Sequence, residues 1–443
     1  MAVEDQINAM PTKRFFVDMF TRDIPLEQAV LDLVDNCIDG AKRLKAQSKK
    51  LDSYKIDIKF GKDEFSIKDN CGGFDRKTAR DYAFRFGRPT NHEPGSHSIG
   101  QFGVGMKRAL FKFGSHFAVR SATTKDEWAI DIDVTDWVAN DDWHFPWTKF
   151  KSNTISKNAP GTEVIVTKLQ PEIAAKFGTE NFSTQIVQLI TSKHRQFISD
   201  GLKILVNGKH LTAKSVLLLI KDSSLRPGVE NTTFKDTGKK DVKTRFVVGV
   251  GPSSPREAGW YVIGNGRVIL ESDRRSETGW GAIEDGSGKI SVPAFHNQFA
   301  RFRGIVIFDS EDSSRIPWNT MKNDVDRDNP IWRKSLAQMI EMMRPVIDFL
   351  NDLDADIDEH GQEHSPMLVV VEKAQQVALQ SLEKSAPFKS PNKNMSTKSP
   401  KLVKIQYSRP TKSVEILKGA LGLSSASAVG EKTFDLILAR SKI

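Results

Sequence analysis

Cysteine is nearly absent from this 443-residue chain: there are two, Cys37 and Cys71. Two thiols cannot build the disulfide framework of small secreted domains, so a buried core must hold the fold and a reducing, cytoplasmic compartment is expected. Both cysteines read as small buried side chains, with a redox switch as the alternative. Also missing is any apolar run of about 18 residues, so no membrane-spanning helix is expected. The N-terminus, Met1-Ala-Val-Glu-Asp5, has neither a basic nor an apolar segment, and no secretory signal is expected there. No internal repeat is visible. What is present, 38% hydrophobic and 27% charged residues, fits a globular protein, and the length calls for two or three domains.

The net charge of +9 is unevenly placed. From Ala386 onward there are eleven Lys/Arg against three acids, so this tail carries eight of the nine positive charges. A near-neutral body with a basic tail points to a polyanionic partner such as nucleic acid, or else to a solvated linker that binds nothing.

Pro25 opens a helical pattern in which Val30, Leu33, Val34, Cys37, Ile38 and Ala41 form one apolar stripe. Two β-type runs follow, Lys55–Phe60 and Glu64–Lys68, joined by Gly61-Lys-Asp63 as a hairpin turn. A polar loop from Arg85 to Ser98 precedes a short helix at Met106–Phe113, and further strands are expected at 117–121, 128–134 and 163–168. This mixture argues for an α+β sandwich, a sheet with helices on one face. Past residue 200 the texture changes to short strands, with Asn207-Gly208 and Gly264-Asn-Gly266 as hairpin signals. A Met- and Leu-rich helix is expected from about Pro330 to Leu353, and another helical stretch from Met367 to Lys384. The resulting division is 1–200, 201–353, a helical segment 354–385, a basic linker 386–402 and a small basic module 403–443.

Three polar motifs carry the chemistry. On the first helix, Asp32, Asn36 and Asp39 are spaced i, i+4, i+7 and project opposite the apolar stripe. A solvated helix face has the same spacing, but a short amide between two carboxylates can also hold a Mg²⁺ ion and orient a water. In Asp69-Asn-Cys-Gly-Gly73, a carboxylate at a strand end can accept an exocyclic amine, and the glycines let backbone approach a base. In Ile99-Gly-Gln-Phe-Gly-Val-Gly105, a glycine-rich turn feeds a helix N-terminus and offers bare N–H groups to phosphate. Lys107 follows as a possible phosphate contact, and Gly161-Thr162 precedes an apolar strand.

In this order the motifs resemble the ATP site of the GHKL superfamily. That superfamily groups gyrase B-type topoisomerases, ninety-kilodalton heat-shock chaperones, histidine kinases and MutL, with the MORC proteins as relatives. The resemblance spans about residues 10 to 350 and implies a Bergerat-type ATP-binding α/β sandwich followed by an α/β transducer domain, with the basic C-terminal tail beyond. By the same resemblance Asn36 holds the Mg²⁺ ion and Asp39 lines the site. Asp69 selects adenine with Gly73 and Thr162 beside it, and Gly100, Gly103, Val104, Gly105 and Lys107 meet the phosphates. Cys71 stands where the family has the first glycine of Asp-x-Gly-x-Gly.

The family's general base is a glutamate four residues before the metal-binding asparagine; here that position is Asp32. The missing methylene withdraws the carboxylate by roughly 1.5 Å, a misplacement that can cost about a hundredfold in rate, so slow hydrolysis is expected. Asp35 and Glu27 are less favoured substitutes. Trp318-Asn-Thr-Met-Lys322-Asn-Asp324 resembles the lysine loop of MutL and MORC, which implies that Lys322 reaches the γ-phosphate from the second domain. Asn265-Gly-Arg267 resembles a hairpin of the same domain in MutL. No phospho-accepting His helix precedes the site, which disfavours a histidine kinase, and the residues past 350 are too few for a cleavage or chaperone domain. The expectation is a cytosolic ATPase clamp that uses ATP and Mg²⁺, forms an ATP-dependent homodimer and acts on DNA. A nucleotide-gated module with an unknown protein partner and a chaperone-like ATPase are the alternatives.

Overall fold

Strands β1 (Lys55–Phe60) and β2 (Glu64–Asp69) bury every second side chain: Ile56, Ile58 and Phe60 on one, Phe65, Ile67 and Asp69 on the other. Period-two alternation thus puts the Asp69 carboxylate on the core-facing side, at the end of an otherwise apolar row. The computed structural model from which this follows describes residues 12–48, 51–85, 97–100, 105–213, 215–281, 292–362, 364–382, 385–391 and 405–441.

Six further strands complete the first sheet: β3 (Gly114–Ala122), β4 (Glu127–Asp133), β5 (Trp147–Thr148), β6 (Gly161–Leu169), β7 (Lys203–Val206) and β8 (Lys209–His210). Their order is β5-β4-β3-β6-β2-β1-β7-β8, antiparallel throughout except for β1 with β7. The helix Leu26–Ser48 lays Val30, Val34, Ile38 and Ala41 into the core, where they join Leu110 and Phe113 of the helix Gly105–Phe113. A fully buried side chain of this size contributes about 1.5–3 kcal/mol, so this stripe is what fixes the long helix in place. The fold is α+β, with its sheet largely antiparallel.

A second sheet contains β10 (Gly228–Phe234), β11 (Val242–Val250), β12 (Gly259–Gly264), β13 (Arg267–Asp273) and β14 (Phe302–Ser310), in the order β10-β11-β14-β12-β13. Between β12 and β13, Asn265 and Gly266 take φ of 47° and 88°, the type I′ pattern expected of a two-residue hairpin. The helix Pro330–His360 packs Trp332, Met339, Met343, Val346 and Phe349 into the core. It runs seven residues past the expected end at Leu353, because Leu353 is still buried and Gly361 supplies the stop.

Two expectations are corrected by pairing. The stretch 367–384 is not one helix: among the described residues it is α-helical only over Pro366–Glu372, with a 3-10 turn at Leu379–Ser381. Gln375–Ala378 then pairs with the apolar strand β9 (Leu217–Ile220). The basic linker does not begin at 386 either. Ala386 and Lys389 bridge to Val229 and Arg226, and the backbone and Cβ of Phe388 lie against Gly228. Among the described residues no helix is long and apolar enough to cross a membrane. At the C-terminus, helices Thr411–Leu421 and Ala426–Ser441 pack together but leave Ile416, Phe434, Ile437 and Leu438 exposed.

Candidate nucleotide site at the domain junction

Asp69 sits where β2 ends, and Thr162 of β6 is its partner across the strands. The Asp69 carboxylate accepts from the Cys71 amide at 2.7 Å, and Thr162 Oγ1 lies 3.1 Å from Ser121 Oγ. Burial pushes Asp69 up to about 6, against the pull of the Cys71 amide, the Cys37 thiol and the Thr162 amide. A carboxylate so poorly solvated gains strongly from a donor brought by a ligand. Next to it Gly73 has φ of +60°, and a Cβ there would lie 2.2 Å from the Ala122 carbonyl oxygen, so only glycine fits this floor. Cys37 and Cys71 are both free and buried, and burial first, then the Asp69 charge, raises both thiols above their usual range, which makes them inert.

The glycine motif meets the long helix at two points. Asp39 accepts from the amides of Ile99 and Gly100 at 2.7 and 2.8 Å, so it anchors the motif's first turn rather than projecting free. Gly105, at the motif's end, approaches Asp32 so closely that a Cβ would lie 2.9 Å from Asp32 Oδ2. Gly103 and Val104 lie outside the described residues. Asn36 is exposed, with its Oδ1 3.6 Å from where a Gly100 side chain would begin. Lys107 departs from expectation: its ammonium is buried and donates to the carbonyls of Ala83 and Arg85, at 2.9 and 2.6 Å. Its long stem carries the charge to the π-helical turn Ala79–Ala83, whose irregular hydrogen bonding leaves carbonyls to satisfy.

A loop that follows the second sheet reaches the same helix. Lys322 is buried and takes φ of +53° in a loop closed by Lys322 N–H to Asn319 O at 2.9 Å. Arg275 grips Asp324 in this loop with two bonds of 3.1 Å. The loop delivers Lys322 Nζ to 2.8 Å from Asp35 Oδ2 and 3.7 Å from Asp32 Oδ1. Asp35 also pairs with Arg267, placed by the Asn265-Gly266 turn, and accepts from His194 Nε2 at 2.9 Å. Burial alone would raise Asp35, but Arg267, Lys322 and His194 outweigh it and hold the carboxyl well below the usual range. Since an ionised carboxylate only accepts, His194 must carry its proton on Nε2; burial lowers its basicity and keeps the ring neutral. Two cations thus face two carboxylates, with Asp35 and Arg267 fully buried and Asp32 still partly exposed.

Asp32 behaves differently from Asp35 three residues away. Burial raises it, and the Asp35 charge adds to the effect, while Lys322, Arg267 and a 2.9 Å bond from Gln28 Nε2 oppose it. A carboxylate tuned upward and fixed in direction by Gln28 and Gly105 has the properties of a general base.

The family of histidine kinase-, DNA gyrase B- and HSP90-like ATPases matches residues 24–162. These residues form a GHKL-type ATPase domain. No curated protein matches it. The GHKL domain binds ATP, and the protein's role is nucleotide-dependent. The matched span contains Asp32, Asn36, Asp39, Asp69 and the glycine motif, whereas His194, Arg267 and Lys322 lie beyond it.

Sequence reasoning passed over Asp35 except as a substitute base, and missed Arg267 and His194 as its partners. One signal was available. Asp35 is four residues after Leu31 and three before Ile38, which are both buried, so it lies on the apolar stripe and needs a buried partner. Lys42 was missed as well, and Asn265 was read only as a hairpin residue. Lys42 donates to the carbonyls of His97 and Asn265, and Asn265 Nδ2 donates to Ser98 O at 3.1 Å. They fasten the start of the glycine motif to the hairpin between β12 and β13.

Proposed function

We propose that this GHKL protein is a cytosolic ATP-driven clamp that hydrolyses ATP slowly, dimerises on binding it and acts on DNA. One observation carries this reading: a lysine of the second domain, Lys322, lies buried between Asp32 and Asp35 of the ATP-binding domain. In this scheme Asp69 accepts the adenine amine, and Thr162 steadies the pocket behind it. The glycine motif presents amides to the phosphates, and Asn36 Oδ1, which has no hydrogen-bond partner among the described residues, holds Mg²⁺. The ion, when bound with the phosphates, neutralises charge that builds on them. Asp32 takes the proton of the attacking water, Gln28 and Gly105 hold it in line, and Lys322 stabilises the developing negative charge. Asp35 keeps Lys322 positioned. Because Lys322 belongs to the second domain, the same contact makes closure between domains sensitive to the nucleotide.

Dimerisation through the N-terminal region is supported by the helix Lys13–Arg22, which leaves Phe15 and Met19 exposed at 56% and 60%. DNA binding is supported by the surplus of basic residues after Ala386. The deciding experiment is ATP turnover at saturating Mg²⁺-ATP, with and without double-stranded DNA, for the wild type and Asp32→Asn. Slow turnover raised by DNA and abolished by the substitution is the expected result. Tight binding without turnover in either protein would overturn the hydrolytic clamp.

A second reading, a nucleotide-gated protein-interaction module, is favoured by the C-terminal helices. Ile416, Phe434, Ile437 and Leu438 are exposed at 54–62%, which suits a protein partner better than a phosphate backbone.

A further inference from the structure

A cavity of about 680 Å³ lies where the helix Glu180–Lys193 and the β8 hairpin of the first domain meet strands β12–β14 of the second. None of the nucleotide-site residues lines it. Its volume falls in the range of small-molecule sites, about 300–1,000 Å³.

Four cationic side chains line the cavity, Arg195, Lys209, Arg256 and Arg303, against two carboxylates, Glu257 and Glu271. The two carboxylates are already matched. Arg195 pairs with Glu271, and Arg303 Nη2 lies 3.2 Å from Glu257 Oε2. Arg303 is buried and also donates to the carbonyls of Pro252, Ala300 and Phe302, so it is a fixed part of the wall. Arg195 lies over the Tyr261 ring, 5.3 Å from its centroid. Lys209 and Arg256 differ from these: both are exposed, and neither has an acidic partner among the described residues. They come from separate elements, β8 and the loop before β12, and both line the same concavity.

Unpaired like charges on a convex surface are screened by water and ions, whereas within a concave, low-dielectric wall their fields add. Two such charges match the dianion of a phosphate ester. The wall also contains Leu211 and Val216, which offer apolar surface to an organic group. We propose that this cavity binds a small phosphomonoester, with its phosphate between Lys209 and Arg256 and its organic part against Leu211 and Val216. A ligand held in this way touches both domains. Arg195 in its wall follows His194, whose ring bonds Asp35, so occupancy bears on the junction that positions Lys322.

The test is calorimetric titration of the full chain with ribose 5-phosphate, after the ATP site has been filled with a non-hydrolysable ATP analogue and Mg²⁺. Saturable binding at one site is expected. It should weaken at least tenfold in Lys209→Glu/Arg256→Glu, with unphosphorylated ribose showing no binding. Both residues are exposed, and unchanged affinity for the ATP analogue reports that the variant is folded. Ribose 5-phosphate that fails to bind, or binds the variant equally well, overturns the proposal. So does ribose binding as tightly as its phosphate. Binding of a 5′-phosphorylated oligonucleotide through the same two residues, with none of ribose 5-phosphate, would assign the cavity to a nucleic-acid end instead.

Discussion

Lys322 Nζ is 2.8 Å from Asp35 and 3.7 Å from Asp32, so one cation, from a loop 287 residues beyond Asp35 in the chain, is shared by two carboxylates of one helix. The two carboxylates are not equivalent. Asp35 is saturated by Arg267, Lys322 and His194 and stays ionised, whereas Asp32 has, among the described residues, one hydrogen bond, from Gln28, and is pushed upward by burial. Environment, not residue type, separates a positioning carboxylate from a candidate base.

Replacing Lys322 by alanine is expected to lower turnover by about 10²–10³-fold, the usual cost of removing a group that stabilises transition-state charge. Nucleotide affinity should stay within about threefold, because Asp69 and the glycine motif are untouched. Single-turnover rates and equilibrium binding measured on the same preparation separate the two. An equal loss of binding would place Lys322 in ground-state recognition only.

Asp35→Ala should destabilise the protein by about 3–5 kcal/mol, because the fully buried Arg267 is left without its counter-charge. Urea unfolding measures this. The sign with pH follows from the lowered carboxyl. Asp35 contributes stability above the ordinary aspartate range, about pH 4, and that contribution is lost as acid approaches its depressed folded value. The wild type should therefore lose stability in acid more steeply than Asp35→Ala.

Much of this arrangement was legible in the sequence because it is local. The i, i+4, i+7 spacing on the first helix, the period-two row ending at Asp69 and the two Asn-Gly turns each need only neighbouring residues to be recognised. The Asp35 cluster was not legible, since its partners are 159, 232 and 287 residues away in the chain and are gathered only by tertiary packing. Lys107 misled for a related reason. A lysine after a glycine motif looks like a phosphate ligand until the position of the π-helical turn is known.

Asp69 gives a pH signature. With its carboxyl at about 6, it is largely ionised at pH 7.5 and largely protonated at pH 5. Adenine's amine needs the ionised acceptor, so ATP affinity should fall as pH drops through about 6. The shift corresponds to about 3 kcal/mol of burial cost, which is stability present below the ordinary aspartate range and lost as pH rises through 6. Asp69→Asn should bind ATP weakly and show no such pH dependence. Fluorescence titrations with a labelled ATP analogue between pH 5 and 8 would decide it, and an unchanged profile in Asp69→Asn would remove Asp69 as the titrating group.

Gly105→Ala places a methyl 2.9 Å from the Asp32 carboxylate, where it must push that side chain aside. A displacement of this order costs about ten- to a hundredfold in turnover when the displaced group is the base. Steady-state turnover alongside ATP binding checks it, and turnover unchanged from wild type would show that Asp32 is not the residue that activates water.

The tail prediction turns on where the docked segment ends. Ala386 to Lys389 bridge to β10 and the residues before it, so a truncation that spares the second sheet must fall after Pro391. Such a cut removes ten Lys/Arg and three acids. If these residues hold DNA, affinity should drop, and the slope of log affinity against log salt should flatten by about 0.9 for each phosphate the shortened chain no longer neutralises. Binding measured by fluorescence anisotropy at several salt concentrations gives both numbers. Unchanged affinity and slope would separate the tail from DNA. The exposed apolar residues of its two helices would then be the feature to explain, and they point to a protein partner.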